Sequence, residues 1–126
     1  MIMGKVTYDY VVEHMDIFPY VDKKCYVFSN SEKGSNEHAE FVNDDVVEFT
    51  KRLKAQEPSK IWMVGGGSLL REFFKNNLID EYVVTIHVHI LGSGVLLFQD
   101  KNPEIHLTLT DTKRFGQFVN LYYKVK

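Results

Sequence analysis

The residues best suited to chemistry are Gly65-Gly66-Gly67-Ser68-Leu69, directly after the apolar run Ile61-Trp62-Met63-Val64. Three successive glycines remove every Cβ where the chain leaves a strand, so the backbone can turn tightly and approach a ligand closely. Ser68 can cap a helix whose Leu69, Leu70, Phe73 and Phe74 share one apolar face. A strand, a glycine turn and a helix N-terminus in sequence can hold phosphate, because free N–H groups and the positive end of the helix dipole both face the anion. The run matches neither the Gly-x-Gly-x-x-Gly nor the Gly-Lys-Ser/Thr signature, so alone it fits a phosphate cradle and a plain strand-to-helix connection about equally. Lys5, Thr7 and Ser29 could donate to phosphate from other strand ends, and Ser29-Asn30-Ser31 places small polar groups where open α/β sheets bind ligands. Singly, these are a solvated lysine, a helix cap and a turn serine. Taken with the glycine turn, they are strand ends converging on one cleft edge, as an extended dinucleotide requires.

Other groups carry weaker signals. His87 and His89 stand two apart on an expected strand and so share a face that could bind zinc or copper. No third ligand is close in sequence; a half-solvated sheet face or a subunit contact accounts for them better, and no metal is assigned. Leu91-Gly92-Ser93-Gly94 reads as a turn or bulge, and functionally as a flexible cleft wall beside a substrate. Asp80 and Glu81 have no partner at a spacing that would mark a general acid, and no catalytic residue is assigned.

These groups need a scaffold. Met1-Ile2-Met3 reads as the end of an apolar strand closed by Gly4, followed by a helix capped at Thr7 and running to about His14, with Tyr8, Val11, Val12 and Met15 on one face. Lys24 to Ser29 reads as a second buried strand, Glu32 to His38 as a surface loop, and Ala39 to Val42 as a short edge strand. Asn43 or Asp44 caps a helix to about Gln56, stopped by Glu57-Pro58-Ser59. Ile61 to Val64 reads as a strand buried on both faces, and the helix after the glycine turn stops at a left-handed Asn77. Glu81 to Leu91 alternates as one long strand, and a hairpin turning near Phe115-Gly116-Gln117 closes the sheet. The expected class is α/β with a mixed sheet, mainly parallel, with a C-terminal antiparallel hairpin.

At 126 residues, 44% hydrophobic and 25% charged, the chain suits one domain with a real core. A formal charge of −2 offers no broad basic field, which argues against nucleic acid. The single cysteine, Cys25, excludes an intrachain disulfide, suits a reducing cytoplasm and lies in an apolar run that makes it a buried structural thiol. No apolar segment reaches membrane-spanning length, and the first residues are no signal peptide. Unpaired, the strand at Met1 to Met3 would be sticky, which favours self-association as a homodimer.

Four blocks in order carry a family resemblance: Met3-Gly4-Lys5-Val6-Thr7-Tyr8, Tyr26-Val27-Phe28-Ser29, Val64-Gly65-Gly66-Gly67-Ser68-Leu69, and Thr85-Ile86-His87 with Leu91-Gly92-Ser93-Gly94-Val95-Leu96-Leu97-Phe98. They resemble the dihydrofolate reductase superfamily, nearest the C-terminal reductase domain of the bifunctional riboflavin biosynthesis enzyme. The resemblance implies a three-layer fold, NADPH as cofactor and a small pterin- or aminopyrimidine-type heterocycle as substrate. It implies that Lys5 and Thr7, with Val6 between them, contact cofactor phosphates, that Ser29 and Asn30 lie near the adenosine end, and that Gly65, Gly66, Gly67, Ser68 and Leu69 wrap the pyrophosphate, with a cis peptide among the glycines. Lys33 is the nearest basic residue after Ser31 for an adenosine phosphate. Two departures stand out. The strand, substrate loop and helix that precede the Gly-Lys-Val-Thr-type motif in that superfamily have no counterpart here, so residues 1–126 are expected to form one N-terminally truncated domain. Val88 replaces the usual proline after the long strand's histidine. A non-catalytic nucleotide-binding or dimerisation module, or an inactive fragment, is the alternative to a reductase.

Overall fold

The computed structural model describes residues 1–56, 58–98 and 104–126; Glu57, expected to help stop the second helix, lies outside the described residues. The chain packs as two compact units, Met1–Glu72 and Phe73–Lys126. The first is built on a five-stranded sheet in the order β3-β4-β2-β1-β5. Strands β1 (Ile2–Gly4), β2 (Tyr26–Phe28), β4 (Glu40–Val42) and β5 (Met63–Val64) run parallel, and β3 (Gly34–Ser35) adds an antiparallel edge. Helix α1 (Lys5–His14) follows β1, α2 (Val46–Gln56) follows β4 and α3 (Gly67–Lys75) follows β5.

The sheet of this unit is covered on both faces. Met3 and Val27 are paired in register and pack with Tyr8 and Val11 of α1 and with Phe18, Cys25 and Ala39. On the opposite face Phe49 of α2 meets Tyr26 and Phe28 edge-on at 5.1 and 5.4 Å. Alternate residues of one short strand thus enter two cores, as a parallel strand with helices on both sides requires. Cys25 is buried, and desolvation pushes its thiol pKa up, as expected of a structural cysteine.

Several local expectations are corrected. β1 is not an unpaired edge: β2 and β5 flank it, so the stickiness inferred for Met1 to Met3 does not arise there. β5, by contrast, pairs only with β1 among the described residues, and Trp62 before it is 52% exposed, so the run is not buried on both faces. Helix α1 starts at Lys5 with extended Gly4 as its N-cap, which puts Thr7 inside the first turn rather than at the cap. α3 starts at Gly67, so Ser68 is likewise inside its helix. Asp45, not Asn43 or Asp44, caps α2, its carboxylate accepting the N–H of Glu48 at 2.9 Å. β4 is interior, because the loop expected at 32–38 contributes β3. The glycine run is trans throughout: Gly65 (φ +52°) and Gly66 (φ +104°) make the turn by positive φ, with no cis bond.

The C-terminal strands form a sheet of their own, in the order β6-β8-β7, from β6 (Glu81–Ile86), β7 (Leu107–Phe115) and β8 (Phe118–Val125). The β7–β8 hairpin turns at Gly116-Gln117, where Gly116 takes φ +60°, and a bulge lies between Leu109 and Asp111. α3 ends as expected at Asn77 (φ +52°): the N–H of Leu78 reaches the Phe73 carbonyl at 3.0 Å and that of Asn77 the Phe74 carbonyl at 3.3 Å, a Schellman closure. β6 ends at Ile86, five residues before the expected Leu91, so His87 and His89 are not on a strand; His87 packs on Phe118 with ring centroids 4.6 Å apart. The apolar run Val95 to Phe98 is irregular and exposed.

A cleft of about 440 Å³ in this second unit is lined by Phe73, Phe74, Ile79, Tyr82, Ile105 and Lys124 among others. Burial here pushes the Tyr82 phenol up to about 12. A phenol whose pKa is raised on folding stabilises the fold fully below its unfolded value, near 10, and loses that contribution as pH rises through about 12. Because the ring is partly solvated, the expected loss across that window is only about 1 kcal/mol. Urea denaturation at pH values on the two sides of the window checks it, and Tyr82→Phe should flatten this part of the profile.

Candidate functional site

Two strand-to-helix junctions lie side by side at the C-terminal edge of the parallel sheet, because β1 and β5 are neighbours and each leads straight into a helix. The Gly4 N–H reaches the Gly65 carbonyl at 3.5 Å, joining the two turns. A Cβ on Gly66 would sit 3.6 Å from both Cα and N of Gly4, and one on Gly65 would sit 3.6 Å from Thr7 Oγ1. Glycine is favoured at both positions by the positive φ, while the contacts a Cβ would make are ordinary ones. Lys5, Val6 and Thr7 thus form the first turn of α1 beside Gly67, Ser68 and Leu69 in the first turn of α3. Their N–H groups belong to the set that a helix leaves without intrahelical partners. Leu69 is buried, so only its backbone can serve a ligand, whereas Val6, Gly67 and Ser68 are exposed.

β2 delivers the third strand end. Ser29 is buried, its N–H reaching the Val42 carbonyl at 2.9 Å, while its Oγ accepts the N–H groups of Ser31 at 3.3 Å and Glu32 at 3.0 Å. The turn-serine role and the site position therefore coincide, and the O–H proton is used by neither bond. Asn30 follows, exposed. The turn sets Glu32 against Lys5: Lys5 Nζ lies 3.2 Å from Glu32 Oε1 and also forms an ion pair with Asp9 one helical turn on. Hydrogen bonding to Asp9 raises the Lys5 ammonium pKa, burial opposes it in part and Glu32 adds to the rise. A lysine in the first turn of a helix is disfavoured by the dipole, and the two carboxylates offset that.

The structure thus brings Gly4, Thr7, Gly65 and Gly66 together, keeps Lys5 next to Gly4 in the first turn of α1, and links Ser29 to Lys5 through Glu32. Leu91, Gly92, Ser93 and Gly94 belong to the second unit, in an exposed irregular stretch where Gly92 takes φ +72°. Asp9 and Glu32 were not singled out by sequence reasoning, although the i, i+4 spacing of Lys5 and Asp9 was available as a signal. Glu32 carried none, since its approach depends on the Ser29 turn. The cleft beside Tyr82 was also missed, its walls coming from positions as far apart as Phe73 and Val125. Among the described residues, no group of three or more His, Cys, Asp or Glu side chains is placed to hold a metal ion, and no helix is long and apolar enough to cross a membrane.

The family model described as the RibD C-terminal domain matches residues 11–121. Two uncharacterised proteins of Bacillus subtilis (strain 168) are similar in sequence. YwjB is 43% identical over 124 residues, which cover 98% of this chain and 71% of YwjB. YyaP is 37% identical over 97 residues, or 77% of this chain, and the match spans only about half of YyaP, 52%. Among solved structures, a Shewanella sp. PV-4 protein provisionally named for riboflavin biosynthesis superposes with a TM-score of 0.83 at 27% identity, over 99% of this chain and 72% of that one.

Proposed function

This chain belongs to the RibD C-terminal domain family, and from that membership and the paired glycine junctions we propose that it is the cofactor-binding part of an NADPH-dependent reductase. The observation that carries the reading is the joining of the two turns, the Gly4 N–H reaching the Gly65 carbonyl and Gly66 lying beside Gly4, which sets the first turns of α1 and α3 next to each other. Thr7, Gly65, Gly66, Gly67, Ser68 and the backbone of Leu69 would hold the pyrophosphate, Lys5 a further phosphate, and Ser29 and Asn30 the adenosine end, while Leu91 to Gly94 would face the substrate. When bound, the nicotinamide supplies hydride, in this reading to a C=N or C=O bond of a small pterin- or aminopyrimidine-type heterocycle; the chain supplies binding and orientation. A cytoplasmic homodimer is part of the reading. Its support moves from β1 to the exposed apolar side chains of the three-stranded sheet, such as Val83, Leu109 and Phe115.

A binding or dimerisation module without catalysis is the second reading. It is favoured by one observation, that Lys5, Asp9 and Glu32, the titratable groups at the cradle, are occupied with one another. Calorimetric titration of the chain with NADPH and NADH tests the first requirement, and saturable binding is expected. A folded chain that binds neither cofactor would overturn the reductase reading. Binding without turnover of pterin or pyrimidine substrates would favour the module.

A further inference from the structure

Resting on the cofactor reading above, we propose that Glu32 is a specificity-determining residue: it competes with a ribose phosphate for Lys5 and so sets how strongly the site prefers NADPH over NADH. The local charge is the first argument. One ammonium stands against two carboxylates, so the cluster of Lys5, Asp9 and Glu32 is net negative by one. A phosphomonoester arrives with about −1.5 to −2 charges at neutral pH, and it cannot use Lys5 while both carboxylates remain in place without like-charge repulsion.

The two carboxylates are held differently. Asp9 is fixed on α1 itself, one turn beyond Lys5. Glu32 belongs to the turn after β2; its backbone N–H is anchored on Ser29 Oγ, its carboxylate stands 3.2 Å from Lys5 Nζ, and although both carboxylate side chains are about half exposed, Glu32 acts on the Lys5 ammonium less strongly than Asp9 does. Glu32 is therefore the group a phosphate displaces, and Asp9 the one that keeps Lys5 oriented. An unphosphorylated ribose makes no such demand and leaves the Lys5–Glu32 pair intact. Glu32 bears on discrimination alone, because the glycine cradle would hold the pyrophosphate, which both cofactors carry.

Glu32→Gln keeps the shape and removes the charge. In calorimetric titrations of the full chain, the NADPH affinity of this variant is expected to rise about tenfold, with NADH changed less than about twofold, and the gain should shrink as salt is added. Lys5→Met provides the second arm: on that background Glu32→Gln should no longer alter the NADPH to NADH ratio, because the two residues act through one interaction. Equal changes for both cofactors, or none, in a chain whose wild type binds them would overturn the role of Glu32 and leave the reductase reading standing. A folded wild type that binds neither cofactor would overturn both.

Discussion

Gly66→Val is expected to lower the thermal midpoint by on the order of 10 °C, and to weaken NADPH binding at least about tenfold at temperatures where the variant is still folded. At φ +104° this backbone lies in a region that L side chains rarely adopt, at a cost of about 1–3 kcal/mol. Branching at Cβ adds to it. Already a bare Cβ would touch Gly4 Cα and N at 3.6 Å, so valine's methyls have Gly4 or Leu69 to meet. Relief requires the β5–α3 turn to move off the β1–α1 turn, which opens the cradle and separates the two helix N-termini that would share the anion. Gly65→Asn is the control. Its φ of +52° is the left-handed region that asparagine tolerates, and a Cβ there makes only an ordinary contact with Thr7, so its effect should stay within about 1 kcal/mol. Equal effects of the two substitutions, by calorimetry and thermal melting, would show that positive φ at Gly66 is not what shapes the turn.

What could be read from the sequence divides along a physical line. Features set by a few neighbouring residues were legible: the glycine turn, the left-handed stop at Asn77, the hairpin at Gly116-Gln117 and the burial of Cys25. Features set by which strand pairs with which were not. The run Ile61 to Val64 has the composition of an interior strand but, among the described residues, lies at an edge, and Met1 to Met3, expected to lack a partner, are flanked by β2 and β5. Alternating hydrophobicity carried the long strand past Ile86 because His87 to Leu91 keep the pattern, yet only Glu81 to Ile86 find partners on β8. The caps at Thr7 and Ser68 failed for one shared reason: a glycine before each helix supplies the turn, so the hydroxyl residues fall one or two positions inside. At the site, Thr7 lies beside Gly65, a proximity that follows from β1 and β5 being neighbours. The Lys5–Glu32 pair needed the third dimension, since it joins a helix start to the turn after a different strand.

Met3→Ala is expected to destabilise the first unit by about 2–5 kcal/mol, and Met3→Leu by less than about 1.5 kcal/mol, both read as shifts in the urea midpoint at constant slope. Met3 is 0% exposed and sits mid-sheet, in register with Val27 on one side and Val64 on the other, beneath Tyr8 and Val11 of α1. Truncation there removes most of a side chain from a packed layer whose neighbours are fixed by sheet hydrogen bonds and can collapse only in part. Val6→Ala, three residues on but exposed, should change stability by no more than about 0.5 kcal/mol. A Met3→Ala loss as small as that of Val6→Ala would mean that β1 is not the centre of this core. The consequence for the site follows from connectivity. Gly4 alone separates Met3 from Lys5, so the strand that fills the core also aims the first turn of α1 at Gly65 and Glu32. Loosening the layer beneath should therefore weaken cofactor binding in the still-folded Met3→Ala protein, whereas Met3→Leu, which keeps the volume, should bind as the wild type does.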